Sequence, residues 1–203
     1  MTLKENIIKV WEFLNEDSWQ SMLVSVILII LFIKLIFFPV LSLITGSSLP
    51  LVVVESCSMY HGNNINTWWN SYSGWYDYKN ISKKTFISFP FLNGLNKGDI
   101  IFVSKPKNLK EGDVIIFTTG SNSTSRYPII HRIISLNPIQ TKGDNNRDQL
   151  RGSNNLGGVD ETNISENQLV GKAIFRIPSV GWIKLIFFEP FRNPEGRGFC
   201  KSS

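Results

Sequence analysis

Histidine and cysteine are scarce in this chain of 203 residues, which holds only His61, His131, Cys57 and Cys200. Two cysteines exclude a disulfide-stapled scaffold and a four-cysteine zinc site. With two imidazoles, a metal centre would need several carboxylates as well, and no metal or organic cofactor is expected. A Gly-rich phosphate loop, an HExxH helix and a CxxC pair are all missing. Nine prolines and fifteen glycines are ordinary numbers that exclude collagen-like and low-complexity classes. The net charge of +5 suits contact with anionic lipid headgroups and gives no argument for nucleic acid. The cysteine count leaves the redox compartment open, and with it the question of whether Cys57 and Cys200 meet.

What the chain does have is one long apolar run. Residues 22–45, MLVSVILIILFIKLIFFPVLSLIT, exceed the roughly twenty apolar residues a helix needs to cross a bilayer. Signal-peptide cores are shorter, about 7–15 residues. Lys34 is costly inside hydrocarbon unless it snorkels or finds a partner, and Pro39 is expected to kink the helix nearby. Lys4 and Lys9 precede the run, whereas residues 46–78 contain no Lys or Arg, which predicts a single-pass membrane protein with its N-terminus cytoplasmic and the bulk of the chain outside. Within residues 1–21, Ile7, Val10, Trp11 and Leu14 recur at helical spacing, as in an amphipathic helix on a membrane surface. Three glycosylation sequons, at Asn80, Asn122 and Asn163, carry little weight.

Beyond residue 50 the pattern turns to short Val/Ile/Phe-rich runs bounded by Gly, Asp, Asn or Pro: LVVVES, DIIFVSK, DVIIFTT, IIHRIISL and LVGKAIFRI. These predict a mainly β domain over residues 50–191, with no useful helical period. Residues 62–94 interrupt it with a polar, aromatic stretch containing Trp68, Trp69, Tyr72, Trp75, Tyr76 and Tyr78. It is expected to be a long loop, with its aromatics resting in the lipid interface rather than packed on the domain. Residues 143–168 read as loops, 177–191 as an apolar segment that caps the core or dips into the membrane, and 192–203 as a tail.

The chemistry-bearing residues are few. Ser58, in SCSM at the end of a Val-rich strand, becomes a nucleophile only with a base and oxyanion donors beside it. His61 is close in sequence but leaves little room for a substrate. His131, in the strand-like IIHRII, is either a structural histidine or a base, and Arg132 points to the opposite strand face. Asp144 and Asp148 in TKGDNNRD are turn acids or candidates to orient a histidine.

Together these pieces resemble type I signal peptidases, in the archaeal and endoplasmic-reticulum branch with a Ser–His site. The motifs are SCSM at 56–59, KGDIIFV at 97–103, EGDVIIF at 111–117, PIIHRII at 128–134, TKGDNN at 141–146 and GKAIFRIPSVGWI at 171–183, in the family's order over roughly residues 20–190. The resemblance implies a signal-peptidase-like β domain on an N-terminal transmembrane helix. It implies Ser58 as nucleophile, His131 as general base, Ser56 and the Ser58 backbone N–H as oxyanion hole, and Val52, Val53 and Val54 as the strand that pairs with substrate. Asp144 and Asp148 fall in the acidic segment, with Asp148 preferred as the third member. The implied partners are signal-peptide-bearing preproteins, the lipid bilayer and translocation machinery. Cys57 stands where the family has glycine, and Tyr60-His61 where it has an acid–proline pair. A non-catalytic peptide-binding module and a serine protease for other membrane precursors are the alternatives.

Overall fold

The computed structural model describes residues 2–62, 64–119, 127–152 and 158–201. The chain divides into two compact units, residues 1–44 and 45–203.

In the first unit, α1 (Leu3–Leu14) leads into α2 (Trp19–Phe32), whose N-cap Ser18 Oγ accepts from Ser21 N at 3.2 Å. A π-helical turn, Ile33–Phe37, and α3 (Phe38–Thr45) continue the same rod. Pro39 has no N–H to donate, and the turn before it widens, with Phe38 N bonding back to Ile33 O. The predicted disturbance at Pro39 therefore takes the form of a π-turn. Trp19–Thr45, 27 residues of mean hydropathy 2.9, is the one helix among the described residues long and apolar enough to cross a membrane. At about 1.5 Å per residue it reaches about 40 Å, against about 30 Å of hydrocarbon. Ile7, Val10 and Trp11 of α1 are exposed and Leu14 is half-buried.

The second unit is built on one antiparallel sheet. Its strands are β1 (Leu51–Val53), β2 (Ile100–Ser104), β3 (Val114–Phe117), β4 (Ile129–Leu136), β5 (Ile139–Lys142) and β6 (Leu169–Ile177), in the spatial order β1-β2-β6-β3-β4-β5. All five Val/Ile/Phe-rich runs contribute strands. The two Gly-Asp pairs play matching parts: Asp99 Oδ2 accepts from Asn96 N and Asp113 Oδ2 from Lys110 N, each at 2.8 Å, closing the turn that feeds the next strand. Gly112, with φ +89°, could not carry a side chain, because a Cβ there would meet the Phe89 ring at 2.1 Å.

Strand β3 is buried on both faces. Val114 and Ile116 join Val54, Met59, Leu95, Ile101, Val103 and Ala173 in one core, while Ile115 and Phe117 join Ile133, Val159 and Ile164 in another. The period of two thus divides one strand between two cores.

The mainly β expectation holds only for the sheet. Helix accounts for 40% of the chain and strand for 19%; beyond the N-terminal rod, residues 62–94 add helix where a loop was expected. They contain α4 (Ile65–Tyr78) and α5 (Lys83–Ile87), N-capped by Asn64 and Ser82. Ile65, Trp68, Trp69, Tyr72 and Tyr76 recur at helical spacing and face inward. Trp68, Trp69, Tyr76 and Phe86 form a third, aromatic core with Ile81 and Ile134, so these rings pack on the domain and do not lie in a lipid interface. Only Tyr78, at 82% exposure, fits the interfacial expectation.

The C-terminal region differs from expectation in its last residues. Residues Trp182–Phe188 form α6, which seats Leu185 in the fold. Residues 192–201 are tied down by a Cys57–Cys200 disulfide and by Phe199 against Trp182, so this segment is not a free tail. Asn80 and Asn163 are exposed; Asn122 lies outside the described residues.

Candidate active site

Strand β4 puts His131 and Arg132 on opposite faces, and each finds a different carboxylate. The His131 ring is 3% exposed. Its Nε2 lies 2.9 Å from Ser58 Oγ, and its Nδ1 lies 2.5 Å from Glu161 Oε1. A carboxylate on Nδ1 fixes the proton there and leaves the Nε2 lone pair facing the serine hydroxyl. Glu161 is fully buried and well held. Thr141 Oγ1 donates to its Oε1 at 3.0 Å, Leu150 N donates to its Oε2 at 2.7 Å, and its backbone bonds Leu150 and Thr141.

Ser58 is half-buried and Ser56 exposed, at the end of the turn that follows β1. Ser56 Oγ lies 3.1 Å from Ser58 Oγ, close enough to share a developing negative charge on an attacked carbonyl. Asn145 holds this turn from behind: its backbone N donates to Ser58 O at 2.7 Å and its Nδ2 to Cys57 O at 3.1 Å. Tyr72 of α4 in turn donates to Asn145 Oδ1 at 2.8 Å. Gly143 packs against the pair, since a Cβ on it would meet His131 Nε2 at 2.6 Å, Ser58 O at 2.9 Å and Asn146 Nδ2 at 2.6 Å.

The aspartates expected to complete this arrangement are elsewhere, which corrects that assignment. Asp144 faces Arg132, whose Nη2 donates to Oδ2 at 2.7 Å and whose Nε donates to Oδ1 at 2.9 Å. The other guanidinium donors reach the carbonyls of Pro90, Phe91 and Gly112. His61 Nε2 lies 2.8 Å from Asp144 Oδ2, and Tyr76 OH donates to Oδ1 at 3.1 Å. Burial alone would raise the Asp144 pKa, but Arg132 and His61 outweigh it and hold the carboxyl well below the usual range. Asp148 is exposed; it accepts from Trp75 Nε1 at 2.8 Å and lies beside Arg151. It follows the turn onto the outer side of α4, so it cannot orient His131.

His61 stacks on Trp68 with ring centroids 3.8 Å apart. Its Nδ1 is buried with no hydrogen-bond partner among the described residues. The Tyr60-His61 pair thus ties the serine turn to α4 through Asp144. Lys142 is buried beside it, with Nζ donating to Gly143 O and Asp144 O and lying 5.0–5.3 Å from the rings of Tyr72, Trp75 and Tyr76. Burial lowers its pKa to about 8.

Of the strand expected to pair with substrate, Val52 and Val53 lie on β1, which stands at one end of the strand order. Val54 is corrected: its side chain is 3% exposed, in the core, and its N–H bonds Asp99 O. Glu161 carries no local signal in the sequence: it lies in a polar loop stretch, thirty residues from His131, with no motif to mark it. Among the described residues no group of three or more His, Cys, Asp or Glu is arranged to hold a metal ion. No protein-family model matches the chain, and no curated protein matches it.

Proposed function

We propose that this chain is a membrane-anchored serine endopeptidase that removes signal peptides from preproteins, as its resemblance to type I signal peptidases implies. The observation that carries the reading is the continuous relay Ser58 Oγ, His131 Nε2, His131 Nδ1, Glu161 Oε1, with links of 2.9 and 2.5 Å.

In this reading His131 takes the Ser58 proton as Oγ attacks the scissile carbonyl, and the Ser56 hydroxyl and Ser58 N–H receive the oxyanion. Glu161 stabilises the imidazolium without itself taking the proton. His131 then protonates the leaving amine, and the acyl-enzyme is hydrolysed by a water that gives its proton to the same nitrogen. Val52 and Val53 offer edge backbone to an extended substrate by strand addition.

Trp19–Thr45 serves as the anchor, with residues 46–203 on the outer face. The charge asymmetry around the helix supports that orientation, and the Cys57–Cys200 disulfide suits an oxidising compartment. Anchoring raises the effective concentration of substrates whose own apolar segment is still in the bilayer. The test is cleavage of a signal-peptide-bearing preprotein by the detergent-purified chain, with N-terminal sequencing of the product and Ser58→Ala and His131→Ala as controls.

A further inference from the structure

The serine turn is gripped from two directions. Asn145 holds the carbonyls of Cys57 and Ser58, as described above. The C-terminal segment holds the side chains: Cys57 is bonded to Cys200, 143 residues away, and the carboxylate of Glu55 is paired with Arg192 and with Lys184 Nζ at 2.8 Å. Arg192 Nη1 also donates to Glu55 O at 3.2 Å.

That segment is itself anchored. Lys97 Nζ donates to Gly196 O at 2.6 Å, Gly198 N to Glu189 Oε2 at 2.6 Å, and Phe199 packs on Trp182 at 4.5 Å between centroids. Trp182 Nε1 donates to Lys97 O at 3.0 Å, which returns the chain of contacts to the turn feeding β2. Residues 192–200 therefore form a strap, fastened at one end by salt bridges and at the other by a covalent bond.

Cys57 lies between Ser56 and Ser58, whose Oγ atoms are the two that meet at 3.1 Å. Its side chain leaves the backbone midway between them. Fixing its Sγ restrains the backbone of the turn that carries the two hydroxyls. The Ser58–His131 contact needs Oγ held to a fraction of an ångström, since a misplacement of about 1 Å can cost about a hundredfold in rate. Asn145 constrains only the carbonyls of the turn, and the disulfide adds the constraint on the side-chain side.

We propose that the Cys57–Cys200 disulfide is a positioning element for the Ser58 nucleophile, so that the peptidase acquires full activity only once its C-terminal strap has been oxidised onto the serine turn. This rests on the peptidase reading above. A freshly translocated chain would hold the relay residues but aim Ser58 poorly until Cys57 and Cys200 were oxidised to the disulfide.

The experiment uses the full chain in detergent. Oxidised wild type is compared with wild type reduced by dithiothreitol, whose two thiols become a cyclic disulfide as Cys57 and Cys200 become free thiols. Maleimide labelling counts the thiols, and circular dichroism counts the folded fraction. The expected result is a fall in kcat per folded molecule of about tenfold or more, with KM changed less than about threefold, restored on reoxidation. Cys57→Ala/Cys200→Val, which replaces the bridge by an apolar contact, should show the same low kcat and no response to dithiothreitol. Reduced wild type or this variant keeping kcat within about twofold of the oxidised protein overturns the proposal while leaving the peptidase reading intact. Oxidised wild type that is folded yet inert overturns both.

Discussion

His131 and Arg132 are consecutive in one strand, and they engage two different buried carboxylates, Glu161 and Asp144. Alternation along β4 sends the imidazole toward Ser58 and the guanidinium toward the aromatic core under α4. One acid thus holds the imidazole beside Ser58, and the other pairs with Arg132 and His61.

This division separates the acids by experiment. Glu161→Gln should lower kcat by about 10³–10⁴-fold, because an amide does not hold the proton on Nδ1 or stabilise the imidazolium. Asp148→Asn should leave kcat within about threefold, since among the described residues its exposed carboxylate meets Trp75, Gln149 and Arg151 and not His131. Steady-state cleavage of one preprotein by both variants makes the check. Equal losses would return Asp148 to the site.

Asp144→Asn should act on stability first. It leaves the fully buried Arg132 without its counter-charge, a loss of about 3–5 kcal/mol. The folded carboxyl has a lowered pKa, so its contribution is complete above the unfolded value of about 4 and is lost as pH falls toward the folded value. Urea unfolding between pH 7 and pH 2.5 should therefore show a shallower acid limb for Asp144→Asn than for wild type. Parallel curves would contradict the ion-pair account.

Much of this arrangement is legible in the sequence, and the reasons for the exceptions are physical. The strand runs stand out because both faces of β3 and one or both faces of its neighbours are buried, giving continuous Val, Ile and Phe. SCSM and IIHRII mark Ser58 and His131 because a turn after a strand and an imidazole within one are local features. The helix Ile65–Tyr78 is less visible: its inward positions are Trp and Tyr rather than Leu, with Asn, Ser and Gly between, so a helical period was hidden in a composition typical of loops. Glu161 leaves no local mark, since only the fold brings it to His131. The disulfide joins residues at opposite ends of the domain, and two cysteines alone cannot say whether they meet.

Lys142 should leave a signature at alkaline pH. Its folded pKa is about 8 against 10.5 in an open chain. Below pH 8 both states hold the proton and the burial cost is constant. Between about 8 and 10.5 the unfolded chain binds more protons, so this group makes stability rise with pH by about 3 kcal/mol across the window. Lys142→Met should remove that rise, read as the difference in urea midpoints between wild type and variant from pH 7 to pH 10. A constant difference would mean the lysine is not desolvated.

Gly143→Ala should inactivate with little unfolding. Its methyl would enter the space held by His131 Nε2 and Ser58 O, at 2.6 and 2.9 Å. The expected result is a kcat loss of about a hundredfold or more, from displacement of the base by about 1 Å, with an unchanged circular dichroism spectrum. Retained kcat would show that the turn yields freely.

The most direct measurement of the central claim is preprotein cleavage by oxidised wild type, Ser58→Ala and His131→Ala in lipid, with the product N-terminus sequenced. The account predicts a single cut after a small residue in wild type and none in either variant. Cleavage that survives Ser58→Ala, or no cleavage by folded wild type, would contradict it.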